Sequence, residues 1–171
     1  MPNVLPVIVA VGGITLAINR DVLHVMRPFR QTRPDQSEAC GILLGYEWDA
    51  AQHVIMATEP QASDIRGRAF YTRNVAGHLK TAREAWTASG GLVGYVGEWH
   101  SHPQVSPAPS STDIAEAKKL ATSNAQTIIS LIMGTSEACV FLAEAKTISE
   151  VVSFQLPTCE MPLRSSRRCS K

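Results

Sequence analysis

His100, His102, Ser110 and Asp113 are the residues of this 171-residue chain whose types and spacing point most directly to chemistry. They share one stretch, His-Ser-His-Pro-Gln-Val-Ser-Pro-Ala-Pro-Ser-Ser-Thr-Asp, running from 100 to 113. Side chains two apart on a strand leave the same face, so His100 and His102 can meet one ion while Trp99 and Ser101 point the other way. Pro103 ends the ladder, and a loop containing Pro107 and Pro109 returns the chain to a helix start at Ser110. Asp113, in the first turn of that helix, can reach back over the histidine face. Two neutral nitrogens, one carboxylate and an open fourth position make the donor set of a catalytic rather than a structural zinc site. Zinc lowers the pKa of water in such a position to about 7, which gives a nucleophile for a carbonyl carbon.

Hydrolysis then needs a second carboxylate to take the water's proton and hand it to the leaving amine. Glu38 is the better placed candidate, at the mouth of the apolar run Glu38-Ala-Cys-Gly-Ile-Leu-Leu-Gly45, where burial raises a carboxyl's pKa toward usefulness. Glu98 competes, two residues before His100 and on the same strand face, and spacing alone does not separate the two. Ser110 could donate a hydrogen bond to the oxyanion of a tetrahedral intermediate. Each residue also has a plainer reading. Ser110-x-x-Asp113 before an apolar-periodic helix resembles a capping box, a role that can coexist with metal binding. A histidine pair alone is commonly polar surface, and a glutamate before a strand is commonly a solvated edge residue. The joint pattern outweighs its parts: four specified residues recur by chance in about one in a thousand chains of this length.

The elements that must position these residues follow from the apolar pattern. Residues 4–18 read as one or two strands turning at Gly12-Gly13, and Val22, Val25, Met26 and Phe29 mark a helix that Pro28 ends or kinks. The Glu38 run and 53–58 read as paired strands, 59–68 as a loop, and 69–72 as a short strand. Val75, Leu79, Ala82 and Trp86 mark a second helix closed by Gly90-Gly91. A strand over 92–102 runs into the histidines, and Ile114, Ala117, Leu120 and Ala121 mark a third helix. Segments 127–133, 138–144 and 148–156 read as a meander. Strands with three interspersed helices predict one mixed α/β layered domain over 1–157. The segment 158–171, with Arg164, Arg167, Arg168 and Lys171, is expected to be a disordered basic tail.

Composition narrows the function classes. A net charge of +1 argues against both nucleic acid and an anionic membrane as partner. The apolar share of 44% is that of a globular domain. Cys40, Cys139, Cys159 and Cys169 contain no Cys-x-x-Cys pair, so neither a zinc ribbon nor a dense disulfide framework is expected. The apolar start from Val4 to Val11 lacks the basic flank of a secretory signal and is too short to span a bilayer, which predicts a cytoplasmic protein.

His100-Ser101-His102-Pro103, the loop to Pro109, and Ser110-x-x-Asp113 together resemble the signature of the JAMM (MPN+ or JAB) zinc metalloproteases, and the Glu38 run looks like that family's glutamate strand. The resemblance covers about Val4 to Leu156. It implies a cytidine-deaminase-like three-layer α/β sandwich, a mixed sheet flanked by helices. It implies one zinc held by His100, His102 and Asp113, with Glu38 rather than Glu98 as general acid/base and Ser110 supporting the oxyanion. It further implies cleavage of peptide or isopeptide bonds after the C-terminus of a ubiquitin-like or similarly conjugated protein. Cys40 departs from the pattern, standing where many members have a glycine. The Gly97-Glu98-Trp99-His-Ser-His-Pro wording is most similar to bacterial deconjugases encoded beside cyclic-oligonucleotide anti-phage enzymes, where the conjugated protein is a cyclic nucleotidyltransferase. Two other readings remain at this point: a peptidase acting on a sulfur-carrier protein, and a non-catalytic scaffold of the same fold. A zinc deaminase is disfavoured, because its Pro-Cys-x-x-Cys ligand pair is missing.

Overall fold

The computed structural model describes residues 5–157. The basic segment 158–171, with the disorder expected of it, and Val4 lie outside the described residues. Strands β1 (Val7–Val11) and β2 (Ile14–Ile18) form a hairpin. Its turn is Gly12-Gly13, with φ of +56° and +80°, a left-handed conformation that side chains rarely adopt. Helix α1 (Arg20–Met26) passes into a 3-10 turn, Arg27–Phe29, at Pro28. Then come β3 (Cys40–Trp48), β4 (Ala51–Ala57), a separate small hairpin of β5 (Ile65–Arg66) and β6 (Tyr71–Thr72), and α2 (Val75–Ala88). Strand β7 (Gly94–Ser101), helix α3 (Ser111–Asn124) and strands β8 (Ile128–Met133), β9 (Glu137–Ala143) and β10 (Val152–Gln155) complete the chain.

Eight strands form one mixed sheet in the order β1-β2-β4-β3-β7-β8-β9-β10, parallel at β2–β4 and β7–β8 and antiparallel elsewhere. Alternation splits the side chains between its faces. On one face Leu43, Trp99, Ile129, Leu131 and Val140 pack with Val22, Leu23 and Met26 of α1. On the other, Ile42 and Leu44 meet Ala82 and Ala85 of α2, while Ile132 and Phe141 meet Ala117 and Ile114 of α3. The expected three-layer sandwich is therefore present, with α1 on one face and α2 and α3 on the other. Among the described residues no helix is long and apolar enough to cross a membrane.

Three local expectations need correction. Helix α2 forms where expected, but Val75, Leu79 and Trp86 are largely exposed. Its inner face is His78, Ala82 and Ala85, because small alanines let the helix lie close to β3 and His78 bonds Thr58 (Nδ1 to Oγ1, 2.6 Å). The segment 59–68 is not all loop: Ile65 and Arg66 pair with Thr72 and Tyr71 across a turn too short and polar to show a period-two pattern. The last strand is shorter than 148–156. Ser149 Oγ takes the Leu142 N–H (3.0 Å) and donates to the Glu150 carbonyl, so a side chain replaces the ladder and β10 starts only at Val152.

Candidate active site

Strand register, not proximity in sequence, assembles the site. Cys40 of β3 pairs with His100 of β7, and the pairing continues past the strand end, where Ser101 N–H donates to the Ala39 carbonyl (2.9 Å) and Ala39 N–H donates to Ser101 Oγ (3.0 Å). That alignment sets Glu38 opposite His102. On the other side, β7 runs parallel to β8 with His100 beside Ile132, and His102 N–H donates to the Met133 carbonyl (2.9 Å). The proline loop is tied down through the β8–β9 turn: Thr135 N–H donates to the Gln104 carbonyl (2.8 Å) and Glu137 N–H to the Val105 carbonyl (3.0 Å). Gly134 sits beneath that loop, and a Cβ there would lie 2.6 Å from both the Gln104 carbonyl oxygen and Pro107 Cδ.

Ser110 caps α3. Its Oγ accepts from Asp113 N–H (3.2 Å), and Asp113 Oδ2 accepts from Ser110 N–H (2.6 Å). This capping box aims Asp113 at the histidines. His100 Nε2 lies 3.4 Å from Asp113 Oδ1, His102 Nε2 lies 3.5 Å from Asp113 Oδ2, and the two Nε2 atoms are 3.1 Å apart. Glu38 Oε1 stands 3.7 Å from His102 Nε2. Two triads of donor atoms can thus be drawn, since Glu38, His100 and His102 also offer ligand atoms all within 4.8 Å of one another. Asp113 comes within 3.5 Å of both imidazoles, whereas Glu38 makes its near approach, 3.7 Å, to His102.

The donor set fits a zinc ion. Ligands about 2.0–2.1 Å from a tetrahedral centre lie about 3.3 Å from each other. The Nε2 atoms are 3.1 Å apart, and each lies 3.4–3.5 Å from a different oxygen of the Asp113 carboxylate, spacings of that order. The electrostatics agree. Burial pushes the Glu38 carboxyl up to about 7, aided by the nearby Asp113 charge and opposed by His100. Burial also pushes Asp113 up, but the His100 imidazole and the backbone and hydroxyl of Ser110 outweigh it and hold this carboxyl well below the usual range. Burial and the neighbouring His100 lower the pKa of His102, favouring the neutral ring a metal requires. One carboxylate is therefore held ionised while its neighbour is poised to exchange a proton near neutral pH.

These groups line a cleft of about 760 Å³ between α3 and the β5–β6 hairpin. All five residues singled out in the sequence, His100, His102, Asp113, Glu38 and Ser110, face it. Glu98 faces it too, but differently engaged: its carboxylate forms an ion pair with Arg73, and Oε1 also accepts from Tyr95 Oη (3.1 Å). Sequence reasoning missed Arg73 and missed Tyr71, whose ring centroid is 5.5 Å from that of His100. It also missed Gln31, whose Nε2 donates to the Gln36 and Arg68 carbonyls. No spacing signal marks these three: Gln31 lies in the loop before β3, and Tyr71 and Arg73 lie in and just after the two-residue strand β6.

The fold and a family match define an α/β domain of the JAB type. Residues 20–149 match the family described as prokaryotic homologs of the JAB domain, and the chain belongs to that family. A "CD-NTase/cGAS isopeptidase" of Pseudomonas aeruginosa is 36% identical over 105 residues, 61% of this chain and 66% of that protein. Proteins of the same name from Escherichia coli (32% over 101 residues, 58% and 64%) and Vibrio cholerae (32% over 111 residues, 64% and 69%) are also similar. The chain thus spans about two thirds of the length of these curated relatives. In architecture it resembles the solution structure of protein DSY2949 from Desulfitobacterium hafniense, with a TM-score of 0.56 at 24% identity over 78% of this chain and 88% of that one. That last likeness speaks to the fold alone.

Proposed function

We propose that this chain is a zinc-dependent deconjugating isopeptidase that removes a cyclic nucleotidyltransferase from whatever its C-terminus has been joined to. The observation that carries the chemistry is the convergence of the His100 and His102 Nε2 atoms and the Asp113 carboxylate within 3.1–3.5 Å, with Glu38 held just beyond. The shared name of the relatives supports the substrate class. A zinc ion at this point supplies Lewis acidity and makes water nucleophilic near neutral pH. Glu38 accepts the proton of the attacking water as its oxygen bonds to the carbonyl carbon, and returns that proton to the amine nitrogen as the C–N bond breaks. Ser110 uses its Oγ lone pair for the helix cap, which leaves its hydroxyl proton free to steady the oxyanion. His100, His102 and Asp113, the last kept ionised, would hold the zinc ion.

The test is cleavage of a cyclic nucleotidyltransferase fused at its C-terminus to a reporter protein. Release of the reporter that stops with a chelator and returns with zinc is the expected result. No cleavage of that fusion, with cleavage of a sulfur-carrier fusion instead, would reassign the substrate.

A further inference from the structure

The β5–β6 hairpin forms the outer wall of the cleft and pairs with no strand of the main sheet; besides Arg73, its ties are Gln31 Nε2 on the Arg68 carbonyl (2.9 Å) and, at its base, Asn74 N–H on Asp64 Oδ1 (2.8 Å). Each strand contributes two paired residues, both residues of β5 are exposed, and neither strand hydrogen-bonds to the eight-stranded sheet. A two-stranded hairpin of that size is marginal on its own. It nevertheless touches two residues of the reaction centre: Tyr71 packs on the His100 ring, and the Gly67 carbonyl accepts the Glu38 N–H (2.7 Å). At its exit stands Arg73, two residues past Tyr71. Its guanidinium pairs with Glu98, on the same strand as His100, and the side chains are only 16% and 10% exposed. Nη1 of Arg73 has no hydrogen-bond partner among the described residues, so Glu98 is what fixes this side chain. Breaking such a pair leaves a buried carboxylate unmatched, which costs far more than losing a surface pair.

We propose that Arg73 is a positioning residue: through Glu98 it straps the β5–β6 hairpin across the cleft, keeping Tyr71 against His100 and the Gly67 carbonyl on the Glu38 amide. Glu98 is thus the buckle of the strap and not a rival base. The inference rests on reading this cleft as the substrate site of a hydrolase, and it assigns the hairpin to holding the substrate chain against α3. Loosening the strap should therefore raise KM more than it lowers kcat.

Amide hydrogen exchange on the full chain, followed by kinetics, tests this. Arg73→Met should speed exchange across 65–72 by at least about tenfold, leave strands β8 and β9 protected, and raise KM by a similar factor. Arg73→Lys, which keeps a charge for Glu98, should restore most of both. Should Arg73→Met not fold, Glu98→Gln serves as the same comparison at unchanged volume. Unchanged exchange at 65–72, loss of protection shared equally by β8 and β9, or a lysine variant no better than methionine would each overturn the strap. A parent protein without hydrolase activity would sink the functional reading alone, because the exchange result still decides the strap.

Discussion

The two walls of the cleft are built by different means. The inner wall is the β3–β7–β8 ladder and the capped start of α3, where backbone hydrogen bonds set Glu38, His100 and His102 in register and a capping box aims Asp113. The outer wall is the eight-residue hairpin 65–72, with four paired residues, held by one backbone hydrogen bond to Glu38 and by side chains: Arg73 on Glu98, Gln31 on Arg68 and Tyr71 on His100. The first arrangement is part of the continuous ladder of the main sheet. The second lies outside that ladder. Mutations on the two walls should accordingly fail in different ways, inner ones in metal and turnover, outer ones in substrate affinity.

The largest effect should come from Asp113, which completes the capping box and, in the proposed function, holds the metal. Asp113→Ala should lose most of the bound zinc and all detectable turnover, and should destabilise the protein by about 1 kcal/mol through the lost cap. Asp113→Asn should lose the zinc while keeping much of the cap, as read by metal analysis and urea midpoint. Equal midpoints for the two variants would show that the side-chain half of the capping box, Ser110 N–H to Asp113 Oδ2, contributes nothing. Next comes Ser110. If its hydroxyl supports the oxyanion, Ser110→Ala should lower kcat by about 100-fold with zinc retained, and if it only caps, kcat should stay near normal with the helix weakened.

The smallest effect is a pH dependence of the metal-free protein. Glu38 carries a folded-state pKa raised by burial from 4.5 to about 7, so the folded protein holds a proton that the unfolded chain has released. The stability linked to Glu38 is fully present below about 4.5 and declines as pH rises through about 7. His102, lowered by burial, works in the opposite sense and is common to parent and variant. The difference between parent and Glu38→Gln in the presence of chelator therefore isolates Glu38. The parent should lose stability relative to the variant across that window, and parallel curves would place Glu38 in a more solvated setting.

How much of this was legible in the sequence follows the same division between walls. The His100–Asp113 stretch could be read directly, because strand period and helix cap operate over a few residues. Most strands and all three helices followed from apolar spacing, and the three-layer order from the family resemblance. Glu38 could not be placed by spacing: its distance from His102 depends on the Cys40–His100 register, which no local pattern encodes. Glu98 has the same spacing credentials as a base, and only the arrival of Arg73 from a loop 25 residues earlier shows its carboxylate to be engaged. Half of the outer wall was legible, since the short strand expected at 69–72 contains β6; β5 stayed hidden because a two-residue strand carries no period and is held by contacts distant in sequence. Helix α2 misled for a related reason: its most apolar residues face solvent, while two alanines and a hydrogen-bonded histidine face the sheet.

The central claim is that one carboxylate holds metal and the other moves the proton. Glu38→Ala tests it most directly, with zinc content and fusion cleavage measured on the same sample. The account predicts stoichiometric zinc and a turnover reduced by at least about 100-fold, the scale of general acid–base catalysis. Near-normal turnover with zinc in place would contradict it and return Glu98 to consideration as the base.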